Sequence, residues 1–246
     1  MLRASFIHHP TNKERMTESK KENERQDSYQ AKLSWQAPAN AARYRRSRQP
    51  ENFGPRFHRE GKIISTWLAD LPKGALVLDA PCGTGRLMPL ITGLGLRYMG
   101  ADISSAMMLE AKKDVTDLPA GANSAIGFAR ADVGALPFPD GSFDAVVLWR
   151  FLHHVPNSAT RIGILQEAAR VSRGRVILSF HHPLSVTYAF NVIKRTFFGR
   201  KQGGRGVTHW QLRREAAQCG LEVAEFGSYR RVGSINWFAR LQKTPR

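Results

Sequence analysis

Short apolar runs alternate with segments of helical periodicity along most of the chain. The first run, Leu76–Leu78, ends at Asp79, and a turn that contains two glycines follows it. Short runs rich in β-branched and aromatic residues predict strands, and apolar positions three or four residues apart predict helices. The further predicted strands are 98–101, 126–129, 143–148, 176–180, 221–226 and 235–241, and the predicted helices are 36–48, 56–68, 86–94, 104–113, 157–170 and 209–219.

This alternation predicts the fold class. A regular succession of strands and helices is typical of an α/β protein, here a three-layer α/β/α, doubly wound sheet of seven mostly parallel strands. The last two strands are joined by a short turn around residues 230–233. A parallel crossover needs about a dozen residues or more, so we expect this pair to be antiparallel.

The two ends of the chain differ in composition from its centre. Residues 1–28 are polar, with little to bury, and we predict that they form a disordered tail. Residues 29–246 have the apolar content of one globular domain, which includes the N-terminal helices at 36–68. Residues 183–206 are predicted to be an insertion in which large apolar side chains are interleaved with lysines and arginines.

The chain is strongly basic, and its excess charge is unevenly distributed. The formal net charge is +17. Residues 29–60 hold seven basic and two acidic side chains, residues 183–246 hold twelve and three, and residues 61–128 are balanced. A fold does not require this asymmetry, so we expect an anionic partner.

Cysteine content and hydropathy indicate the compartment. Two cysteines, Cys82 and Cys219, make neither a disulfide framework nor a metal cluster, and no other ligand set has metal-site spacing. No apolar run reaches the length of a membrane span, and residues 1–10 lack the features of a signal peptide. We therefore expect a cytoplasmic protein, or one bound peripherally to the inner face of a membrane.

The turn after the first predicted strand carries the clearest chemical signal. Gly83 and Gly85 allow the backbone to approach a ligand closely, and Asp102, at the end of the second strand, can accept both hydroxyls of a ribose. A dinucleotide-binding turn needs a third glycine where Met88 stands. S-adenosylmethionine (SAM) has no phosphate and carries a sulfonium cation, which the acidic Asp79 favours.

Several further segments occur in the order found in one enzyme family. They are 76–86 (LVLDAPCGTGR), 100–104 (GADIS), 130–132 (RAD) with 136–138 (LPF), 142–146 (SFDAV) and 151–155 (FLHHV). In these segments, residues 74–180 resemble the class I SAM-dependent methyltransferases, and most closely the type 11 group that includes quinone-biosynthesis enzymes. The resemblance implies the strand order 3-2-1-4-5-7-6 and SAM as the cofactor.

The resemblance also implies a role for each matching residue. The two glycines would line the methionine part of SAM, Asp79 would order the turn, and Asp102 would bind the ribose. The remaining implied contacts are Ile103 on the adenine, Asp132 at the adenine amino group with Val133 beside it, and Trp149 near the methionine end. Pro81 is a departure, because the family usually has glycine there, and proline fixes φ and removes an N–H.

Two histidine pairs follow predicted strands and are expected at the rim of the acceptor site. His153, His154 and His181 are weak candidates for a general base. Packing at the start of the following helix is the favoured alternative. Methyl transfer also proceeds without a base when the reacting groups are aligned and water is excluded.

The basic flanks of the chain are the sequence feature that indicates the nature of the acceptor. Three alternatives are open for residues 183–206: they cover the acceptor, lie on an anionic membrane surface or bind nucleic acid phosphates. We expect a small or lipid-like, anionic acceptor. An RNA or protein methyltransferase is the alternative that the charge favours, and a SAM-binding module without catalysis is the alternative outside the enzymes. A nicotinamide oxidoreductase is disfavoured by Met88.

Overall fold

The computed structural model describes residues 36–47, 50–115, 126–183, 206–228 and 234–244. The predicted tail at 1–28 and nearly all of the predicted insertion at 183–206 lie outside these residues. The helices of the described ranges are α1 (Pro38–Ser47), α2 (Pro50–Leu68), α3 (Met88–Gly93), α4 (Ser105–Lys112), α5 (Ser158–Val171) and α6 (His209–Ala217). The strands are β1 (Leu76–Asp79), β2 (Arg97–Asp102), β3 (Ile126–Arg130), β4 (Phe143–Leu148), β5 (Ser172–His181), β6 (Leu221–Ser228) and β7 (Asn236–Lys243).

The strands form one seven-stranded sheet in the order β3-β2-β1-β4-β5-β7-β6. Strands β1 to β5 are parallel to one another, so their carboxyl ends lie along one edge. Strand β7 runs antiparallel to both β5 and β6. The predicted fold class, strand order and antiparallel final pair are confirmed.

Polar side chains cap the helices that follow the strand ends. Ser104 accepts a hydrogen bond from the backbone N–H of Met107 at the start of α4. Asn157 begins α5 and Thr208 begins α6 in the same way. Each cap satisfies a backbone donor that the helix leaves without an internal acceptor. The caps therefore define where these helices begin at the carboxyl edge of the sheet.

Apolar side chains cover both faces of the sheet. On one face, Ile64, Leu68 and Ile91 of α2 and α3 are buried against the sheet with at most 1% of their surface exposed. On the other face, Leu165 of α5 and Leu212 of α6 are fully buried. Each such side chain contributes roughly 1.5–3 kcal/mol through burial. The helices on the two faces hold the sheet in place, and with it the strand ends at its carboxyl edge.

Several elements differ in length from the prediction. Helix α2 begins at Pro50 rather than at residue 56, because proline suits the first turn of a helix, where its missing N–H has no partner to lose. Helix α3 begins at Met88 rather than at 86, because the glycine turn continues to Leu87. Strand β5 is ten residues long, since β4 and β7 pair along both of its sides. No helix of the described ranges has both the length and the apolar character needed to cross a membrane.

Candidate functional site

The carboxyl ends of β1 and β2 bring the glycine turn against Asp102. The carboxylate of Asp102 accepts hydrogen bonds from the backbone N–H of Gly83 and of Ser104, each at 2.8 Å. Only 6% of Asp102 is exposed. Burial raises the pKa of this carboxyl, and the backbone donors oppose the rise. The turn and the end of β2 are thus joined through one carboxylate.

Asp79, at the end of β1, is more deeply buried, with 2% of its surface exposed. Its Oδ2 accepts a 3.0 Å hydrogen bond from the hydroxyl of Tyr98 on β2. Burial raises the pKa of Asp79 to about 7, although Tyr98 and Arg86 both favour the charged form. A buried carboxylate without a paired cation is costly to charge, so a ligand cation beside it is favoured. Tyr98 was not singled out from the sequence, where it is one more apolar strand residue.

The glycines of the turn have the backbone that the sequence predicts for them. Gly83 and Gly85 have φ angles of 54° and 73°, which other residues rarely adopt. A side chain at Gly83 would meet open space, whereas one at Gly85 would collide with Ala111 at 2.9 Å. The peptide bond between Ala80 and Pro81 is cis. The space over Gly83, between two acidic strand ends, fits an uncharged ribose and a cationic methionine group.

The end of β3 adds the residues expected at the adenine. Asp132 is exposed and accepts a 3.0 Å hydrogen bond from the backbone N–H of Gly134, whereas Val133 is buried. Ile103 is partly buried and directly follows Asp102. The backbone N–H of Ala131 donates to the carbonyl of Asp102 at 3.1 Å. The structure therefore brings the predicted ribose and adenine residues together at neighbouring strand ends.

The N-terminal helices reach this edge from two sides. Helix α1 packs on α4 through Ala41, which is buried with Ala106 and Met107, and Arg45 forms an ion pair with Asp114. Helix α4 begins directly after the strand end that carries the ribose candidate. Helix α2 lies on the sheet face beside β1 and β4.

A buried glutamate of α2 connects the glycine turn with the end of β4. Glu60 is 2% exposed and accepts hydrogen bonds from Arg86 at 2.6 Å, from Trp149 Nε1 at 3.0 Å and from Arg150 at 3.2 Å. Trp149 is also buried, and its ring stacks on Phe238 with 4.8 Å between centroids. Trp149 is therefore held in place by Phe238 and by Glu60, and Glu60 joins it to Arg86 of the glycine turn. The sequence offered no signal for Glu60, which is one acid in the amphipathic helix predicted at 56–68.

The histidines after β4 and β5 meet, as their positions predicted. The His153 ring stacks on His181 at 3.9 Å and lies 4.1 Å from the ring of His154. Burial, then the charges of the two other histidines and of Arg150, lowers the pKa of His153 to about 2. Burial and Arg150 also lower the pKa of His154. Among the residues that the structure describes, no group of His, Cys, Asp and Glu is arranged to hold a metal ion.

Comparison with known proteins finds similarity to methyltransferases. A family model described as a methyltransferase domain matches residues 78–180. A 2-phytyl-1,4-naphtoquinone methyltransferase of Synechococcus elongatus is 34% identical over 133 residues, which cover 52% of this chain and 56% of that protein. The ubiquinone/menaquinone biosynthesis C-methyltransferase UbiE of Hahella chejuensis is 30% identical over 141 residues, 55% of this chain and 56% of that protein. The chain thus spans just over half the length of these relatives.

A solved structure shows the same fold over a longer stretch. Magnesium protoporphyrin IX methyltransferase of Synechocystis PCC 6803, with bound S-adenosylhomocysteine (SAH), superimposes with a TM-score of 0.63 at 24% identity. The superposition covers 76% of this chain and 84% of that one. Residues 78–180 of this chain are therefore similar to the methyltransferase-domain family, and the sheet that surrounds them has the fold of the class I SAM-dependent methyltransferases.

Proposed function

We propose that this protein transfers a methyl group from SAM to a small or lipid-like acceptor that carries a negative charge. The observation that carries the proposal is the 2.8 Å hydrogen bond between Gly83 and Asp102. It joins a glycine turn to a carboxylate at the carboxyl edge of parallel strands, where open α/β sheets bind their ligands. When bound, SAM supplies a methyl group activated by its sulfonium.

The residues at this edge are suited to hold SAM in one orientation. Asp102 retains unused acceptor capacity on both oxygens for the ribose hydroxyls, since an ionised carboxylate has about four acceptor sites. Asp79 offers a negative charge beside the methionine end. The remaining proposed contacts are Gly83, Gly85, Pro81 and Trp149 around the methionine, and Ile103, Asp132 and Val133 around the adenine.

The acceptor class rests on charge and on the relatives. Relatives of this chain are named for naphthoquinone, ubiquinone/menaquinone and magnesium protoporphyrin chemistry, all of which concern small, largely apolar molecules. The net charge of +17 adds an attraction for anions. Two arginines, Arg86 and Arg150, share the carboxylate of Glu60, so Arg150 places a cation at the end of β4.

The test is methyl transfer by the full chain to a lipid extract. Extract from cells would be incubated with protein and methyl-labelled SAM and searched for labelled products about 14 Da heavier than their precursors. We expect the product to be extracted into organic solvent and to carry an ionisable oxygen. Asp102→Ala is the matched inactive control. Label recovered only in RNA or protein would contradict the proposal.

We further infer that the basic flank at 183–206 associates with an anionic membrane surface, where a lipid-like acceptor would be found. Basic residues near such a surface contribute about 1 kcal/mol each. Binding to vesicles of phosphatidylglycerol, compared with vesicles of phosphatidylcholine, measures this association. Equal binding to both vesicles would contradict it.

Methylation of RNA is the second candidate, because its phosphates also suit the charge of this flank. Binding to RNA would then weaken steeply as salt is raised, since each neutralised phosphate releases counterions. Labelled RNA after incubation with total RNA and SAM would favour this candidate over a lipid-like acceptor.

A further inference from the structure

Arg150 has an unusual backbone at the carboxyl end of β4. Its φ is 53°, and it is the one non-glycine residue of the described ranges with a positive φ. This conformation costs an ordinary residue roughly 1–2 kcal/mol. Such strain persists only where the surrounding structure enforces it, and it concentrates at functional sites.

Two buried groups hold Arg150 in this conformation. Its backbone N–H donates to the hydroxyl of Ser179 on β5 at 2.6 Å, and its guanidinium donates to Glu60 at 3.2 Å. Ser179 is 4% exposed and Glu60 is 2% exposed, so neither anchor is a loose surface contact. The side chain of Arg150 itself is 26% exposed. Its guanidinium is thus held by Glu60 and remains partly exposed.

Arg150 faces the histidines that follow β4. Its charge is among the causes that lower the pKa of His153 and of His154, after burial. His153 Nδ1 is buried and has no hydrogen-bond partner among the described residues. With a pKa of about 2, His153 is a neutral imidazole at physiological pH and a weak proton acceptor. This side of the site offers a cation and a neutral ring, which suit an acceptor that arrives already ionised.

We propose that the guanidinium of Arg150 binds an oxyanion of the methyl acceptor, a carboxylate or an ionised phenol on a flat ring system, at the end of β4. Ser179 is the positioning residue that holds the backbone of Arg150. This inference rests on the proposed function and adds the residue that selects the charge of the acceptor.

The test compares two flat probes that differ in charge. Binding of 2-naphthoate and of 2-naphthamide to the full chain saturated with SAH would be measured by isothermal titration calorimetry. We expect wild type to bind 2-naphthoate at least about tenfold more tightly, because hydrogen bonds to charged groups are the stronger ones. A wild type that binds both probes equally overturns the proposal.

Variants of Arg150 assign the preference to this residue. Arg150→Gln removes the charge, and Arg150→Gly removes the side chain while accepting the positive φ without strain. Both should abolish the preference for 2-naphthoate and leave the affinity for 2-naphthamide within about twofold, since the amide carries no charge for the arginine to bind. Arg97→Gln, at the opposite edge of the sheet, is the matched control and should change neither affinity. A preference that survives in Arg150→Gly overturns the proposal even if the glutamine variant fails to fold.

The positioning role of Ser179 has its own measurement. Ser179→Ala should reduce the preference for 2-naphthoate by roughly two- to tenfold, the range of one neutral hydrogen bond. Ser179→Thr, which keeps the hydroxyl, should restore it, whereas a purely structural role would lower the affinity for both probes alike. A lipid extract without an anionic methylated product contradicts the proposed function. An anionic product together with an unchanged preference in Arg150→Gln contradicts only the assignment of Arg150.

Discussion

The substitution Asp79→Asn should stabilise the protein at alkaline pH. The pKa of Asp79 is raised from 3.8 to about 7, chiefly by burial, so the folded state holds a proton that the unfolded chain releases. A group with a raised pKa stabilises the fold fully below its unfolded value, and this contribution is lost as the pH rises through the folded value. Wild type therefore becomes less stable between about pH 4 and pH 7 because of this carboxyl.

The magnitude follows from the size of the shift. A pKa displaced by about three units corresponds to on the order of 4 kcal/mol between the two protonation states. Asparagine has the same shape, stays neutral at every pH and keeps an oxygen for the hydroxyl of Tyr98. We expect Asp79→Asn to exceed wild type in free energy of unfolding by roughly 4 kcal/mol at pH 8, and by less than half of that at pH 5.

Urea unfolding at pH 5 and pH 8 measures this difference. Asp144→Asn is the matched control of opposite sign. Burial raises the pKa of Asp144, but hydrogen bonds from the backbone of Leu76 and from Arg173 outweigh it and lower the pKa. Its contribution is present above the unfolded pKa and lost as the pH falls, so its neutral variant should be less stable than wild type at pH 8. An Asp79→Asn gain that does not grow with pH would refute the reasoning.

The same carboxyl should couple SAM binding to pH. A bound cation favours ionised Asp79, so wild-type affinity for SAM should rise as the pH passes through about 7, and Asp79→Asn should bind weakly without this dependence. Calorimetric titrations between pH 6 and pH 8 would reveal it. Ionised Asp79 destabilises the fold, and selection tolerates such a loss of stability where the charge is needed to bind a ligand.

Three further predictions concern the site and its support. Asp102→Ala should weaken SAM binding by roughly 100-fold or more, since about two charged hydrogen bonds are lost; calorimetry with an unchanged affinity would exclude a ribose contact. Gly85→Ala should destabilise the fold by about 1–3 kcal/mol and weaken SAM binding, because the new methyl group meets Ala111 at 2.9 Å. An unchanged melting temperature would contradict this prediction. Glu215→Ala should cost about 3–5 kcal/mol in urea unfolding, because it leaves Arg161 charged and buried, whereas a loss below about 1 kcal/mol would contradict the buried pair.

The order of elements and the position of the cofactor site followed from local patterns. The side of a strand that faces the core repeats every two residues, and that of a helix repeats every three to four residues. Both patterns can therefore be recognised within a short stretch of sequence. Parallel strands end at one edge, so placing Asp79 and Asp102 at strand ends was enough to bring them together. The short final turn likewise required an antiparallel pair.

The lengths of the strands depended on pairing that the local pattern does not contain. Strand β5 is longer than its apolar run because it has neighbours on both sides. The six residues added at the start of α2, residues 50–55, include two prolines and a glycine and show little helical periodicity, so the pattern began only at Arg56. Propensity alone is a weak guide where tertiary packing decides.

The amino-acid sequence by itself determined the α/β fold, the glycine turn and the acidic strand ends, because each depends on residues close together in the chain. Only the tertiary structure decided what surrounds them. Glu60 meets Trp149 and Arg150 across 89 and 90 residues, through the way α2 crosses the sheet. The pKa of Asp79 and the positive φ of Arg150 likewise arise from burial and from neighbours on other strands, which no spacing in the sequence encodes.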